Sequence, residues 1–233
     1  MILMTSWSNS GIPIGISKSL DSCRESLPGS HCLMVFPDLM TLRGVYSHYT
    51  KMQLEDSNEI VLILPYYETT EMVRLTLSGE TIYNENGRGN NPCGYSGIDV
   101  NKYEKEGSLI IMDSLKGYFP SKGKGNFHIN NDSPKGDFGL MSYLEILLKQ
   151  AERQKKNGVT VLSDMGSFYH HHNRDGNLKL IEYECSLPEK FNTRKLKGFC
   201  LYHQKDFERR FSQEQQAGLL DCHSRNIILE NDY

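Results

Sequence analysis

Three features of the 233-residue sequence predict a three-layer α/β fold, a mostly parallel sheet with helices on both faces. Its strand-like runs are apolar throughout rather than alternating, as strands covered on both faces are. Those runs are separated by segments whose apolar residues recur at helical spacing. Cap and turn residues mark the joints.

Residues 1–28 are rich in Ser and Gly and weakly patterned, and read as a tail or covering segment. Residues 29–233 read as one domain. His31 to Phe36 is a buried strand, and Pro37-Asp38 caps a helix carrying Leu39, Leu42, Val45, Tyr46, Tyr49 and Met52. Glu59 to Pro65 is a second strand, followed by a short helix capped by Thr69 or Thr70 and stopped by Gly79. Residues 79–98, dense in Gly and Asn, read as a long surface excursion. Ser108 to Asp113 is a third strand, and Ser114 to Gly136 a second long loop. Asp137 caps a helix that ends at Gly158. Val159 to Asp164 is a fourth strand, a helical pattern covers 176–186, and Gly198 to His203 is a fifth strand. A helix capped by Asp206 runs through Phe207, Phe211 and Leu219, and Ile227 to Glu230 closes the sheet.

Composition narrows the function. Lys plus Arg number 26 against 29 Asp plus Glu, a net charge of −3, with no basic block to track a phosphate backbone. The longest apolar run, Ile60 to Leu64, is far short of the ~20 residues that cross a bilayer, and the N-terminus is a poor signal peptide. None of the six cysteines forms a C-x-x-C pair, so buried, reduced thiols in a cytoplasmic protein are expected.

In such a sheet, ligands bind outside the carboxyl ends of the strands. A phosphate-cradling loop needs Gly-x-x-x-x-Gly-Lys-Ser/Thr after the first strand. Here that segment is PDLMTLRG, which lacks those glycines and the Lys and adds Asp38. Asp113 and Asp164 end strands as magnesium-holding carboxylates do, yet strand-terminal Asp is also a common cap. Conventional ATP hydrolysis is therefore disfavoured. His170, His171 and His172 could offer imidazoles to a metal, but adjacent histidines rarely converge on one ion, and their polar setting reads as a solvated loop. Cys32 and Cys185 have apolar neighbours that favour inert packing. Tyr66, Tyr67, Tyr118, Phe119, Phe168, Tyr169 and Tyr202 follow strand ends, where they either wall a small-molecule pocket or seal the core.

The motifs GSHCLMVF, EIVLILPYYET, GIDVNKYEKEGSLIIMD, GVTVLSDMGSF, LIEYECSLP and GFCLYHQKDF…HSRNIIL, in this order from Gly29 to Glu230, resemble the MEDS domain. That sensory domain is named for methanogens, methylotrophs and the dichloromethane-metabolism repressor, and is similar to degenerate RecA/KaiC-type ATPases. The resemblance implies a RecA/KaiC-like scaffold without its P-loop, with Glu68 near the place of the catalytic acid and Asp164 at the end of the Walker B strand. It also implies a cytoplasmic sensor of small molecules. MEDS domains are often joined to kinase or DNA-binding modules, and neither is recognisable here, so the signal would pass to a protein partner.

The expected function is that of a non-catalytic sensory or regulatory protein. Its small ligand would lie at the carboxyl edge, near His31, Asp38, Tyr66, Glu68, Asp113, Asp164, Glu184 and His203. No cofactor, metal, membrane or direct nucleic-acid contact is expected, and self-association is compatible with the scaffold. The alternatives are a residual nucleotide-binding or hydrolysing enzyme using Asp113 or Asp164, and a pure interaction module with a filled cleft.

Overall fold

The computed structural model describes residues 14–80, 82–83, 89–90, 95, 97–119, 139–171, 176–191 and 195–230. In chain order the elements of the first half are α1 (Ile14–Arg24), β1 (His31–Phe36), α2 (Leu39–Glu55), β2 (Ile60–Leu64) and α3 (Thr70–Ser78). A short hairpin follows, β3 (Ile82–Tyr83) with β4 (Gly89–Asn90), and then α4 (Val100–Glu106) and β5 (Leu109–Ile111). The second half contains α5 (Ser114–Tyr118), α6 (Gly139–Arg153), β6 (Val159–Asp164), α7 (Gly166–His171) and α8 (Gly176–Phe191). It ends with β7 (Leu196–His203), α9 (Gln204–Arg210), α10 (Gln213–Asp221) and β8 (Arg225–Ile228).

Six strands form one sheet in the order β5-β2-β6-β7-β1-β8, and every pair in it is parallel. Side chains of a strand alternate between faces, and that parity divides the core in two. Cys32, Met34 and Phe36 of β1 pack with α1 to α4, whereas Leu33 and Val35 pack with α5 to α10. This is the three-layer α/β architecture expected from the apolar strands. Among the described residues no helix is long and apolar enough to cross a membrane.

The caps read from the sequence form at two joints. Asp38 accepts the Thr41 N–H at 2.9 Å, and Thr69 accepts that of Met72 at 3.2 Å. Gly79 closes α3 with φ at 76°, the left-handed conformation for which glycine carries no penalty.

Elsewhere the structure adds to the expectation or differs from it. The segment before β1 includes α1, whose Ile16, Leu20 and Cys23 lie in the core. Residues 100–106 are helical, held between the Asp99 cap and Gly107. The supposed loop after Asp113 opens with α5, because the Asp113 carboxylate accepts the Leu115 and Lys116 N–H groups. The segment holding His170 and His171 is a helix, pinned by buried Phe168 between Tyr118 and Tyr183. The helix expected after Asp206 is two: Phe211 is extended, and Ser212 with Gln215 builds a capping box that starts α10. Asp206 lies inside α9 and caps nothing. The last strand begins two residues earlier than expected. Cys185 and Cys222 are joined in a disulfide, which corrects the expectation of reduced thiols at these two positions; Cys23, Cys32 and Cys200 are free and buried. Most of 81–96, all of 120–138, and the Asp137 cap lie outside the described residues.

At the amino end of the sheet, Lys197 Nζ contacts Glu59 Oε1 at 2.7 Å and donates to Gln53 Oε1 at 2.7 Å. Thr160 donates to the second Glu59 oxygen at 2.5 Å. A lysine and a glutamate this deeply buried are tolerated because each finds its partners here.

Candidate functional site

Asp164, the last residue of β6, organises the carboxyl edge. Its Oδ2 accepts the backbone N–H groups of Tyr66 and Tyr67 at 3.3 and 3.2 Å, and its Oδ1 that of Gly166 at 2.9 Å. The carboxylate thus fixes the turn leaving the neighbouring strand β2. Burial pushes its pKa up to about 7, although the three N–H donors pull the other way. Gly166 must be glycine for this arrangement, since a Cβ there would lie 2.5 Å from the Tyr66 ring.

Around this turn run two further networks. Glu68 accepts Arg43 Nε at 2.9 Å and the Tyr46 hydroxyl at 3.0 Å; burial still raises its pKa above the ordinary carboxyl value despite Arg43. The Tyr67 hydroxyl donates to Asp206, which also meets His170 at 3.2 Å and Arg210 at 3.2 Å. Partial burial would raise the Asp206 pKa, but its bonds to Tyr67, His170 and Arg210 hold it below the usual range. The Tyr66 ring stacks on His170 with centroids 5.4 Å apart.

A cavity of about 500 Å³ opens between this turn and the end of β5, lined by Tyr66, Tyr67, Glu68, Thr70, Asp113 and Lys116 among others. The space behind it, between Leu39, Tyr46 and Asp164, is nearly filled, at about 10 Å³. Among the described residues the open volume therefore lies over β2 and β5, and the space beside Leu39 and Leu42 of PDLMTLRG is nearly filled.

Six of the eight expected residues stand at the carboxyl edge: Asp38, Tyr66, Glu68, Asp113, Asp164 and His203. Asp38 and Asp113 serve as helix caps there, and His203 packs edge-on against Phe36 at 5.3 Å. His31 and Glu184 are elsewhere. His31 opens β1, about 16 Å of strand from its carboxyl end. Of the aromatic residues, Tyr66 and Tyr67 line the cavity, whereas Tyr118, Phe168 and Tyr202 are buried in the core. The side chains of Tyr169, His171 and His172 lie outside the described residues.

His31 and Glu184 meet two residues that the spacing analysis did not join to them, Cys200 of β7 and His223 after α10. His31 Nε2 lies 2.8 Å from Glu184 Oε2 and 3.2 Å from Cys200 Sγ. His223 Nε2 lies 3.0 Å from the same Glu184 oxygen. The two imidazoles stack with centroids 4.1 Å apart. Burial alone would raise the Glu184 pKa; the two histidines beside it reverse this and hold it well below the ordinary value. Two further residues of the carboxyl edge, Arg43 and Asp206, were also missed. The Asp206-to-Arg210 spacing of four was a legible helical pair; the pairing of Arg43 with Glu68 was not, because it joins two elements.

Comparison with known protein families gives no match, and neither does comparison with curated proteins. Among solved structures, the chain is similar to a KaiC-like protein of the hyperthermophilic archaeon Pyrococcus horikoshii, with 14% identity and a TM-score of 0.42, over 75% of this chain and 61% of that one. It is also similar to a second Pyrococcus horikoshii chain, from a structural study, with 11% identity and a TM-score of 0.49, over 91% of this chain and 88% of that one. The chain thus spans less than two thirds of the first of these proteins.

Proposed function

We propose that this chain is a MEDS-type sensory domain on a RecA/KaiC-like scaffold, that it binds a small molecule in the carboxyl-edge cavity, and that it signals through a protein partner without hydrolysing nucleotide. The observation that carries this reading is the pairing of an open cavity over β2 and β5 with a blocked phosphate position. In a nucleotide-binding relative, free N–H groups at the start of the helix after β1 would hold phosphate. Here the Asp38 carboxylate accepts the Thr41 N–H and puts negative charge where an anion would sit. Two tyrosines, two carboxylates and Lys116 on the cavity wall suit an amphipathic ligand with an aromatic or aliphatic body and a polar head. Membership of the MEDS family rests on the sequence motifs.

Two titrations of the whole chain test this. Calorimetry with magnesium ATP is expected to give no binding at millimolar concentration. Amide NMR spectra recorded with a set of small aryl and short-chain amphiphiles are expected to show shifts at 66–70 and 111–116. Those shifts should vanish in Thr70→Trp, which fills the cavity. Magnesium ATP binding that is lost in Asp164→Asn would support the enzyme reading instead. A cavity silent to every probe would leave the interaction module.

A further inference from the structure

We infer that His31, Glu184, Cys200 and His223 form a closed binding site for one divalent transition-metal ion, of which zinc fits best. The inference is independent of the carboxyl-edge cavity. Four side chains come from four separate places in the fold, β1, α8, β7 and the turn before β8, and each presents one donor atom. All four donor atoms lie within 4.8 Å of one another. Ligands around a tetrahedral zinc are spaced about 3.3–3.6 Å apart, as follows from metal–ligand bonds of about 2.0–2.3 Å. The contacts of 2.8, 3.0 and 3.2 Å need only small adjustments to admit the ion.

The alternative is a hydrogen-bonded cluster in which protons do the bridging; it accounts for His31 and Cys200, whose Nε2 and Sγ are within hydrogen-bond geometry, but not for His223 and Glu184. His223 Nδ1 lies 2.6 Å from the Leu219 carbonyl oxygen, an acceptor, so Nδ1 carries the proton. In the neutral ring Nε2 then offers a lone pair, and it faces a carboxylate oxygen at 3.0 Å. Two lone pairs approach this closely only when a cation lies between them. An imidazolium would supply a proton, but hydrogen bonds want a near-linear N–H···O. Neither His223 Nε2 nor either oxygen of Glu184 makes a bond of that geometry, despite the short distances. An ion off the line joining the donors meets no such requirement. The Nδ1–H to carbonyl bond is also the outer contact by which metal-bound histidines are commonly oriented.

Charge and access agree. A carboxylate and a metal-bound thiolate bring two negative charges, which a divalent ion cancels, so the loaded site can be buried as a neutral unit. Exposure of the four residues runs from 0% for Glu184 to 7% for His223, which leaves no water-filled coordination position. Such a closed site is structural or regulatory rather than hydrolytic. The mixed nitrogen, sulfur and oxygen set favours zinc over magnesium or calcium, which prefer oxygen alone. The Cys185–Cys222 disulfide joins the residue after Glu184 to the residue before His223, and so holds two donor-bearing segments together without supplying a donor.

The test is a cobalt titration of untagged whole protein after chelator treatment, followed by X-ray absorption of the zinc-loaded form. One equivalent of cobalt is expected to bind with a thiolate-to-cobalt charge-transfer band, and that band should disappear in Cys200→Ser. Surface histidines near His170 cannot produce it, because they bring no sulfur. The zinc-edge spectrum of the unaltered protein is expected to fit one sulfur and three nitrogen or oxygen neighbours, which keeps the test independent of whether the variant folds. Folded protein that binds no cobalt, a band that persists in Cys200→Ser, or a zinc shell without sulfur would each overturn the inference.

Discussion

Asp164→Asn should make the protein's stability less sensitive to pH, and the structure sets the size of the effect. The folded-state pKa of Asp164 is about 7, against 3.8 for the free carboxyl. Between these values the folded protein keeps a proton that the unfolded chain has released, so stability falls as pH rises through the window. Below about pH 4 both states are protonated and nothing is lost; above about pH 7 the loss is complete. At about 1.4 kcal/mol per unit of pKa, the full effect is at most about 4 kcal/mol. Asparagine has the shape of the protonated side chain and cannot ionise. Its carbonyl oxygen can take the place of Oδ2 and keep the Tyr66 and Tyr67 bonds, while its amide NH2 group then faces the Gly166 N–H, a loss that does not change with pH. Relative to the parent, the variant should therefore carry a fixed penalty for that bond at pH 4 and gain by up to about 4 kcal/mol between pH 4 and pH 8. Urea denaturation of both proteins across that range measures the difference. Groups such as Asp206 and Glu184, whose pKa values are lowered, titrate in both proteins and cancel. A difference that stays constant from pH 4 to pH 8 would refute the reasoning, because the three N–H bonds would then outweigh burial and Asp164 would ionise normally.

Two further substitutions probe the interior. Lys197→Met leaves the Glu59 carboxylate buried without its cation and should cost about 3–5 kcal/mol; Glu59→Gln added to it should recover much of that loss in the same denaturation experiment. Cys222→Ser removes a link that closes 37 residues of sequence, for which the chain-entropy relation gives about 4 kcal/mol. Reducing agent should then shift the urea midpoint of the parent protein and leave that of the variant unchanged.

The sequence alone determined the layer architecture, because the signals for it are local. A strand apolar at every position has no face to give to water, and successive strands of that kind separated by helices must build a parallel sheet covered on both sides. Asp38 and Thr69 were legible as caps for the same reason, since a cap and the N–H it accepts are three residues apart. The lack of a phosphate loop was a fact of eight consecutive residues. Locality also explains the misreadings. Glycines made 114–118 look like a loop, although Gly117 is small because a Cβ there would press on Leu64 at 3.1 Å. Polar residues made 166–171 look solvated, although Phe168 anchors it.

Only the tertiary structure decided where the polar residues meet. His31 and Glu184 were both legible as candidates but lie away from the carboxyl edge, His31 at the first residue of β1 and three register positions before the level of Asp164, and they are joined by Cys200 and His223 from distant parts of the chain. No spacing rule links residues 31, 184, 200 and 223. Their convergence depends on β1 pairing between β7 and β8, on strand parity turning His31 and Cys200 toward the same layer, and on α8 and α10 crossing beneath that face.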